Sequence, residues 1–173
     1  SLSATKVFNI ENLESRRFIA NPSSGEAAFG KDHISVLYIG GFGPHRGVDT
    51  LIRAATTLKD RNRNVKLQLI GAQPSQYLDM LKDLVKELQV EDLVQVTGWV
   101  SASDVLANIQ QADICSVPHH SNPHTDNTIP HKLFQYMIAK RPVLVSSSKP
   151  LERTVREAQA GLVFKAGDPQ DCA

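Results

Sequence analysis

The chain is poor in several things, and each shortage excludes a class. It has only two cysteines, Cys115 and Cys172, in 173 residues. A small scaffold held together by disulfides would need more. Cys115 lies in an apolar run and reads as a small core residue. Cysteine use this sparse fits a reducing compartment. No run of eighteen apolar residues exists, so the sequence offers no spanning helix. The opening Ser1-Leu2-Ser3-Ala4-Thr5-Lys6 lacks the apolar stretch of a signal peptide. Net charge is scarce as well, at +1, which argues against a long-range field aimed at nucleic acid or an anionic membrane. Basic contacts must then be local. What remains, 41% hydrophobic and 21% charged residues, is ordinary for one globular domain with a real core.

Residues 1–33 are polar and irregular and include the turn signal Asn21-Pro22-Ser23-Ser24-Gly25. They read as a linker or lead-in. From residue 34 to 173, apolar runs alternate with amphipathic stretches. Strands are expected at Ser35–Ile39, Val65–Ile70 (closed by Gly71), Leu93–Thr97, Ile114–Val117, Val143–Val145 and Leu162–Phe164. Between them lie helical faces: Val48, Leu51, Ile52, Ala55 and Leu58; then Tyr77, Met80, Leu81, Leu84, Val85 and Leu88; then Val105, Leu106 and Ile109; then Leu133 and Met137. Ser101-Ala102-Ser103-Asp104 resembles a capping box. Pro130 suits a first helical position, and Pro142 a stop. Pro150 can open another helix, with Gly161 as its left-handed cap. Asp168-Pro169 reads as the start of one more, so a cut within a larger protein is expected. Such alternation implies a three-layer α/β domain of Rossmann-like type, a parallel sheet of about six strands with helices on both faces. Ligands of such sheets sit beyond the carboxyl ends of the strands.

Two loops at those ends draw attention. Gly40-Gly41-Phe42-Gly43-Pro44-His45-Arg46-Gly47 follows a strand and precedes a helix. Backbone N–H groups and a helix N-terminus there suit an anion, with Arg46 as a cation; a tight turn with a solvated arginine is the plain alternative. Position 46 breaks the dinucleotide G-x-G-x-x-G pattern, and no Gly-Lys-Ser/Thr ending makes a P-loop. The second loop, His119–Pro130, is long and polar, which favours function. Its three histidines, with His131 as a fourth, and Asp126 raise a metal reading, but adjacent His119 and His120 point apart if extended, and a solvated loop serves as well. Lys132 and Gln135 are three apart on the next helix and can share a face, either toward a ligand or toward solvent. No triad and no paired carboxylates appear.

Taken in order, Val36–Gly47 with Val48-Asp49-Thr50-Leu51-Ile52, then Leu67–Gly71, then Val94–Val100, then Pro130–Val145 with Gly161–Phe164 resemble the C-terminal lobe of retaining glycosyltransferases of the two-Rossmann-lobe (GT-B) architecture, group 1 or family 4-like. The resemblance spans roughly residues 34–168. It implies a UDP- or GDP-linked sugar donor, transfer to an acceptor hydroxyl with retained configuration, and no required metal or other cofactor. The acceptor would belong to an N-terminal lobe outside this chain, so the chain alone is expected to be inactive. Cytoplasmic placement follows from the family, with room for peripheral membrane association through that other lobe; no nucleic-acid partner is implied.

Carried over by position, Gly41, Phe42, Gly43 and Arg46 face the diphosphate. Trp99 and Val100 meet the base, His120 lies near the donor sugar, Asn127, Thr128 and Ile129 approach sugar and phosphate, and Gln135 takes the ribose. Two departures stand out. The family's arginine and lysine fall on Gly41 and Arg46, so one cation is missing. Its two glutamates fall on Asn127 and Gln135, which accept hydrogen bonds but carry no charge. Asp126 is a neighbour that can replace Asn127, and Lys132 can restore the missing cation. Asn127, Arg46 and Lys132 are the residues expected to act on the reacting group. An epimerase or phosphorylase lobe of the same architecture, or a non-catalytic binding lobe, are the competing expectations.

Overall fold

A computed structural model describes Phe18 and residues 32–173. The expected linker, with its Asn21–Gly25 turn, lies outside the described residues apart from Phe18, which packs on the core. Six parallel strands form one sheet: β1 (Ile34–Ile39), β2 (Val65–Ala72), β3 (Val94–Gly98), β4 (Ile114–Val117), β5 (Val143–Ser146) and β6 (Gly161–Phe164). Their order across the sheet is β3-β2-β1-β4-β5-β6. Six helices connect or follow them: α1 (Val48–Asp60), α2 (Gln76–Glu87), α3 (Ala102–Gln111), α4 (His131–Ile138), α5 (Lys149–Ala158) and α6 (Pro169–Cys172).

Strand residues alternate between the two faces, and this splits the core in two. Val36, Tyr38, Leu67, Leu69 and Val94 meet α1 and α2 on one face, where Cys172 of α6 also packs. Leu37, Ile39, Cys115, Val117, Val143 and Val145 meet α3, α4 and α5 on the other. Central strands buried on both sides explain the unbroken apolar runs. The helices change face between β1 and β4, which are neighbours. Their carboxyl ends therefore open the crevice at which doubly wound sheets bind ligands.

Local details correct several expectations. Gly71 does not close β2; the strand continues to Ala72 with a register shift, and Gly71 (φ 109°) is needed because a Cβ there would sit 2.5 Å from the Gly40 carbonyl oxygen. Met80 is 47% exposed, while Leu78 takes its place on the buried face. Ser101 caps no backbone group: its hydroxyl donates to Asp104 at 2.6 Å. Pro130 precedes α4 as its cap rather than opening it, and Lys140 (φ 56°) ends the run before Pro142 is reached. The left-handed cap of α5 is Gln159 (φ 51°). Gly161 instead begins β6, where a Cβ would meet the Val143 carbonyl oxygen at 1.8 Å. At α6, Asp168 caps as expected, accepting from the backbone N–H of Gln170 and Asp171 at 3.0 and 3.2 Å. Among the described residues no helix is long and apolar enough to cross a membrane.

Candidate functional site

The two loops singled out by sequence meet at the β1–β4 crevice. Gly47 (φ 66°) lets them touch: a Cβ there would lie 1.8 Å from the Pro118 carbonyl oxygen. One hydrogen bond, from His120 N–H to the His45 carbonyl at 3.2 Å, ties them together. Within the glycine loop, Pro44–Arg46 form a single 3-10 turn that aims Arg46 back over the crevice. Beneath it, the Tyr38 hydroxyl donates to the Gly41 carbonyl at 2.8 Å. Burial pushes that phenol well above its usual range.

The loop after β4 is built from its own polar side chains. Thr125 is buried, donates its hydroxyl to the His120 carbonyl at 2.6 Å, and accepts from Asn122 N–H at 3.0 Å. Asn122 Oδ1 accepts from the N–H groups of His124 and Thr125. From α5's side, the buried Ser148 hydroxyl donates to the Thr125 carbonyl at 2.8 Å. These contacts satisfy a backbone that no strand or long helix could serve.

A cavity of about 340 Å³ lies between the loops, lined among others by Gly41, Arg46, His119, Thr128, Ile129 and Lys132. Among the described residues no acidic one lines it. Arg46 donates from one guanidinium nitrogen to His119 Nε2 at 3.4 Å. His119, only 2% exposed, must accept there, since arginine has no lone pair to offer. Burial first, then the charges of Lys132 and Arg46, push its imidazole down to about 3, so it is neutral. Lys132 stands in the first turn of α4 and sends its ammonium under the glycine loop. Its Nζ lies 3.7 Å from the Tyr38 ring centroid and has no hydrogen-bond partner. A Cβ on Gly40 would come within 2.6 Å of it. Burial, followed by the charge of Arg46, holds this amine well below the ordinary lysine range.

The crevice thus gathers Gly41, Arg46, Thr128, Ile129 and Lys132 from the expected set. Others lie off the cavity wall. Phe42 turns its ring edge-on to Tyr38, centroids 5.8 Å apart, and packs on the core. Gly43 sits at the foot of the 3-10 turn. Trp99 is 68% exposed beyond β3, and Val100 packs against the α3–α5 core. His120 points to α1, with Nε2 2.9 Å from Asp49. Asn127 donates its amide to the Pro123 carbonyl at 2.7 Å. Asp126 accepts from Ser121 at 2.6 Å and does not face the cavity. Gln135, one turn beyond Lys132, is half-buried outside the lining set. Among the described residues, no three His, Cys, Asp or Glu side chains gather as metal ligands.

Sequence reasoning missed Tyr38, Thr125, Ser148 and Tyr136. Tyr136 is fully buried, and its hydroxyl accepts from Ile39 N–H at 3.2 Å, fixing the end of β1 from below. Only the Asn122-x-x-Thr125 spacing carried a signal, as a local side-chain turn. A larger hollow, about 650 Å³, lies between α1 and α2 around Asp49, Asp79, Asp83 and Glu87. It is acidic where the crevice is basic, and no strand residue lines it.

A doubly wound sheet with two cations and no carboxylate at its crevice defines an α/β domain suited to an anionic ligand. The chain belongs to the family of glycosyl transferases group 1, whose sequence pattern matches residues 22–173. It is 27% identical over 122 residues to the GDP-mannose-dependent alpha-(1-6)-phosphatidylinositol monomannoside mannosyltransferase of Mycobacterium tuberculosis, covering 69% of this chain and 31% of that protein. In structure it resembles sucrose-phosphate synthase of Thermosynechococcus elongatus, with TM-score 0.69, 25% identity, and coverage of 81% of this chain and 34% of that one. It shares a fold with Anabaena HepE, solved with UDP and glucose, at TM-score 0.68 and 19% identity over 80% of this chain and 36% of that one. The chain spans about a third of the length of the curated relatives it matches.

Proposed function

We propose that this domain is the donor-binding lobe of a retaining glycosyltransferase, and that its crevice takes the diphosphate of a nucleotide sugar. The carrying observation is the Lys132 amine, enclosed and unpaired beside Arg46 in a cavity with no carboxylate among the described residues. A buried cation with no counter-charge is costly, and an anionic ligand removes that cost. The N-terminus of α4 opens into the same cavity through Pro130 and His131 and adds its dipole. Gly41, without a side chain to block approach, leaves room for the ligand against the loop backbone.

Catalysis at such a lobe is electrostatic. As the bond from sugar to diphosphate breaks, charge grows on the departing oxygen, and fixed cations and dipoles stabilise it. Arg46 and Lys132 supply the cations, and Lys132 fills the role left open at Gly41. Thr128 and Ile129 on the cavity wall are assigned to the sugar side. Gln135 and Trp99 lie off that wall, and the family resemblance alone assigns them to the ribose hydroxyls and the base. The relatives named for GDP-mannose and solved with UDP support a nucleotide donor of this kind. Transfer needs the acceptor lobe, so this domain alone binds without turning over. The neutral Asn127 and Gln135 motivate a second reading, a lobe that binds but does not catalyse.

The test is calorimetric titration with UDP and with GDP, repeated on Arg46→Ala. Saturable binding of one nucleotide is expected, weakened at least about tenfold by loss of a charged hydrogen-bond donor. Absence of binding by either at millimolar concentration overturns the reading. Turnover by the protein joined to its acceptor lobe, lost in Arg46→Ala, eliminates the non-catalytic one.

A further inference from the structure

The surroundings of Lys132 carry one consequence beyond the binding of a diphosphate, and it rests on that reading. The amine is enclosed at the cavity wall: the Tyr38 ring lies on one side of it and the bare Cα of Gly40 against it. Nζ has neither a hydrogen-bond partner nor solvent contact. Among the described residues, the titratable groups around it are Tyr38 from β1, Arg46 from the glycine loop, and His119, His124 and His131 from the β4–α4 connection. None is a carboxylate. The imidazoles are neutral or positive, Arg46 is positive, and burial keeps the Tyr38 phenol protonated and neutral. Nothing on the wall rewards a proton on Lys132, and Arg46 opposes one.

We propose that Lys132 is largely uncharged in the empty crevice and takes up a proton when a nucleoside diphosphate enters, so that donor binding and proton uptake are one event. A multiply charged diphosphate brings the counter-charge that the wall lacks. The same amine that is disfavoured as ammonium in the empty site is favoured as ammonium against phosphate oxygens. The proton comes from solvent, no covalent bond changes, and the bound complex carries one more proton than its separated parts. The downward displacement of the free amine agrees with this. By linkage, affinity then falls as pH rises between the free and the bound titration midpoints, by up to about tenfold per pH unit. The arrangement gives a crevice that does not collect small anions while empty, because its second cation is absent until a ligand of sufficient charge is seated.

Two measurements test it on the protein as it stands. The first titrates UDP and GDP at pH 8.5 in buffers of different ionisation enthalpy, Tris and HEPES. At that pH the terminal phosphate is fully ionised, its second pKa being about 6, and the imidazoles are neutral. Proton uptake of roughly one per nucleotide is expected. It should persist in His45→Gln with His119→Gln. It should vanish in Lys132→Arg, which is charged at all accessible pH, and in Lys132→Met, which also binds more weakly. The second needs no ligand. In protein carrying lysine labelled at Cε, the signal missing from Lys132→Arg should titrate well below the other lysines, whose ordinary midpoint is about 10.4. Binding heats that do not change with buffer, or a Lys132 signal that titrates with the rest, overturn the inference while leaving donor binding intact. No binding heat at all overturns both, and so marks the failure of the donor reading.

Discussion

His119 shows how one side chain can make the protein sensitive to acid. Its ring is buried and accepts from Arg46, so it is held neutral. In the unfolded chain a histidine titrates near 6.5, whereas here the midpoint is pushed down to about 3. Between these values the unfolded chain binds more protons than the folded one. Stability is therefore full above about pH 6.5 and falls as pH drops toward 3, by up to about 1.4 kcal/mol per pH unit. Urea midpoints measured across pH 4 to 7 should show this slope, and His119→Gln should flatten it. Gly47 is the other decisive single residue. Alanine there would need a left-handed backbone and would drive its Cβ into the Pro118 carbonyl. Gly47→Ala is expected to cost on the order of 3 kcal/mol and to separate the two loops, read out as a lowered urea midpoint together with lost nucleotide affinity.

Among the elements, α4 has the most to do with the site. It buries Leu133 and Tyr136, presents Lys132, and points its N-terminus at the cavity. Tyr136 joins it to the end of β1, where the glycine loop begins. Tyr136→Phe leaves the buried Ile39 N–H without that acceptor and is expected to destabilise by about 1–3 kcal/mol, as thermal denaturation can measure. The α5 contribution is smaller and more local. Ser148 holds Thr125, and with it the loop over the cavity. Ser148→Ala should speed amide exchange through residues 120–127 while shifting the global melting temperature little, because only one bond to a surface loop is lost. Equal acceleration throughout the sheet would mean that Ser148 supports the core instead.

On the scale of the whole molecule, one sheet with a separate core on each face sets where stability resides. β1 is paired on both sides and covered on both faces, whereas β3 and β6 are edges. Amide exchange should be slowest in β1, β2 and β4 and fastest in β3 and β6. The site stands at the carboxyl end of the best-protected strand, so its backbone is anchored even though its loops are polar. The partnerless Lys132 amine is thus held by a rigid support rather than by a loop able to open.

Much of this was legible in the chain itself. The unbroken apolar runs of the strands, the helical spacing between them and the glycines after β1 pointed to the architecture, because burial on both faces of a parallel sheet demands such runs. The two functional loops were found the same way, as the polar breaks at strand ends. Helix starts and stops were read less well, since Gly161, Pro142 and Ser101 carry cap signals that tertiary contacts redirect: Gly161 is required by the approach of β5, and Ser101 spends its hydroxyl on Asp104. Of the side chains around the cavity, Arg46, Thr128, Ile129 and Lys132 were expected only through the family resemblance; local pattern alone did not place them. Lys132 reads as helix surface, yet it turns inward because Gly40, more than ninety positions earlier, leaves a slot for it. His119 and His120 look alike in sequence, yet one faces Arg46 and the other Asp49, because alternate residues of an extended segment face opposite ways. Local pattern determined which elements form. Only the meeting of β1 with β4 decided which charges share a cavity and which of them lack a partner.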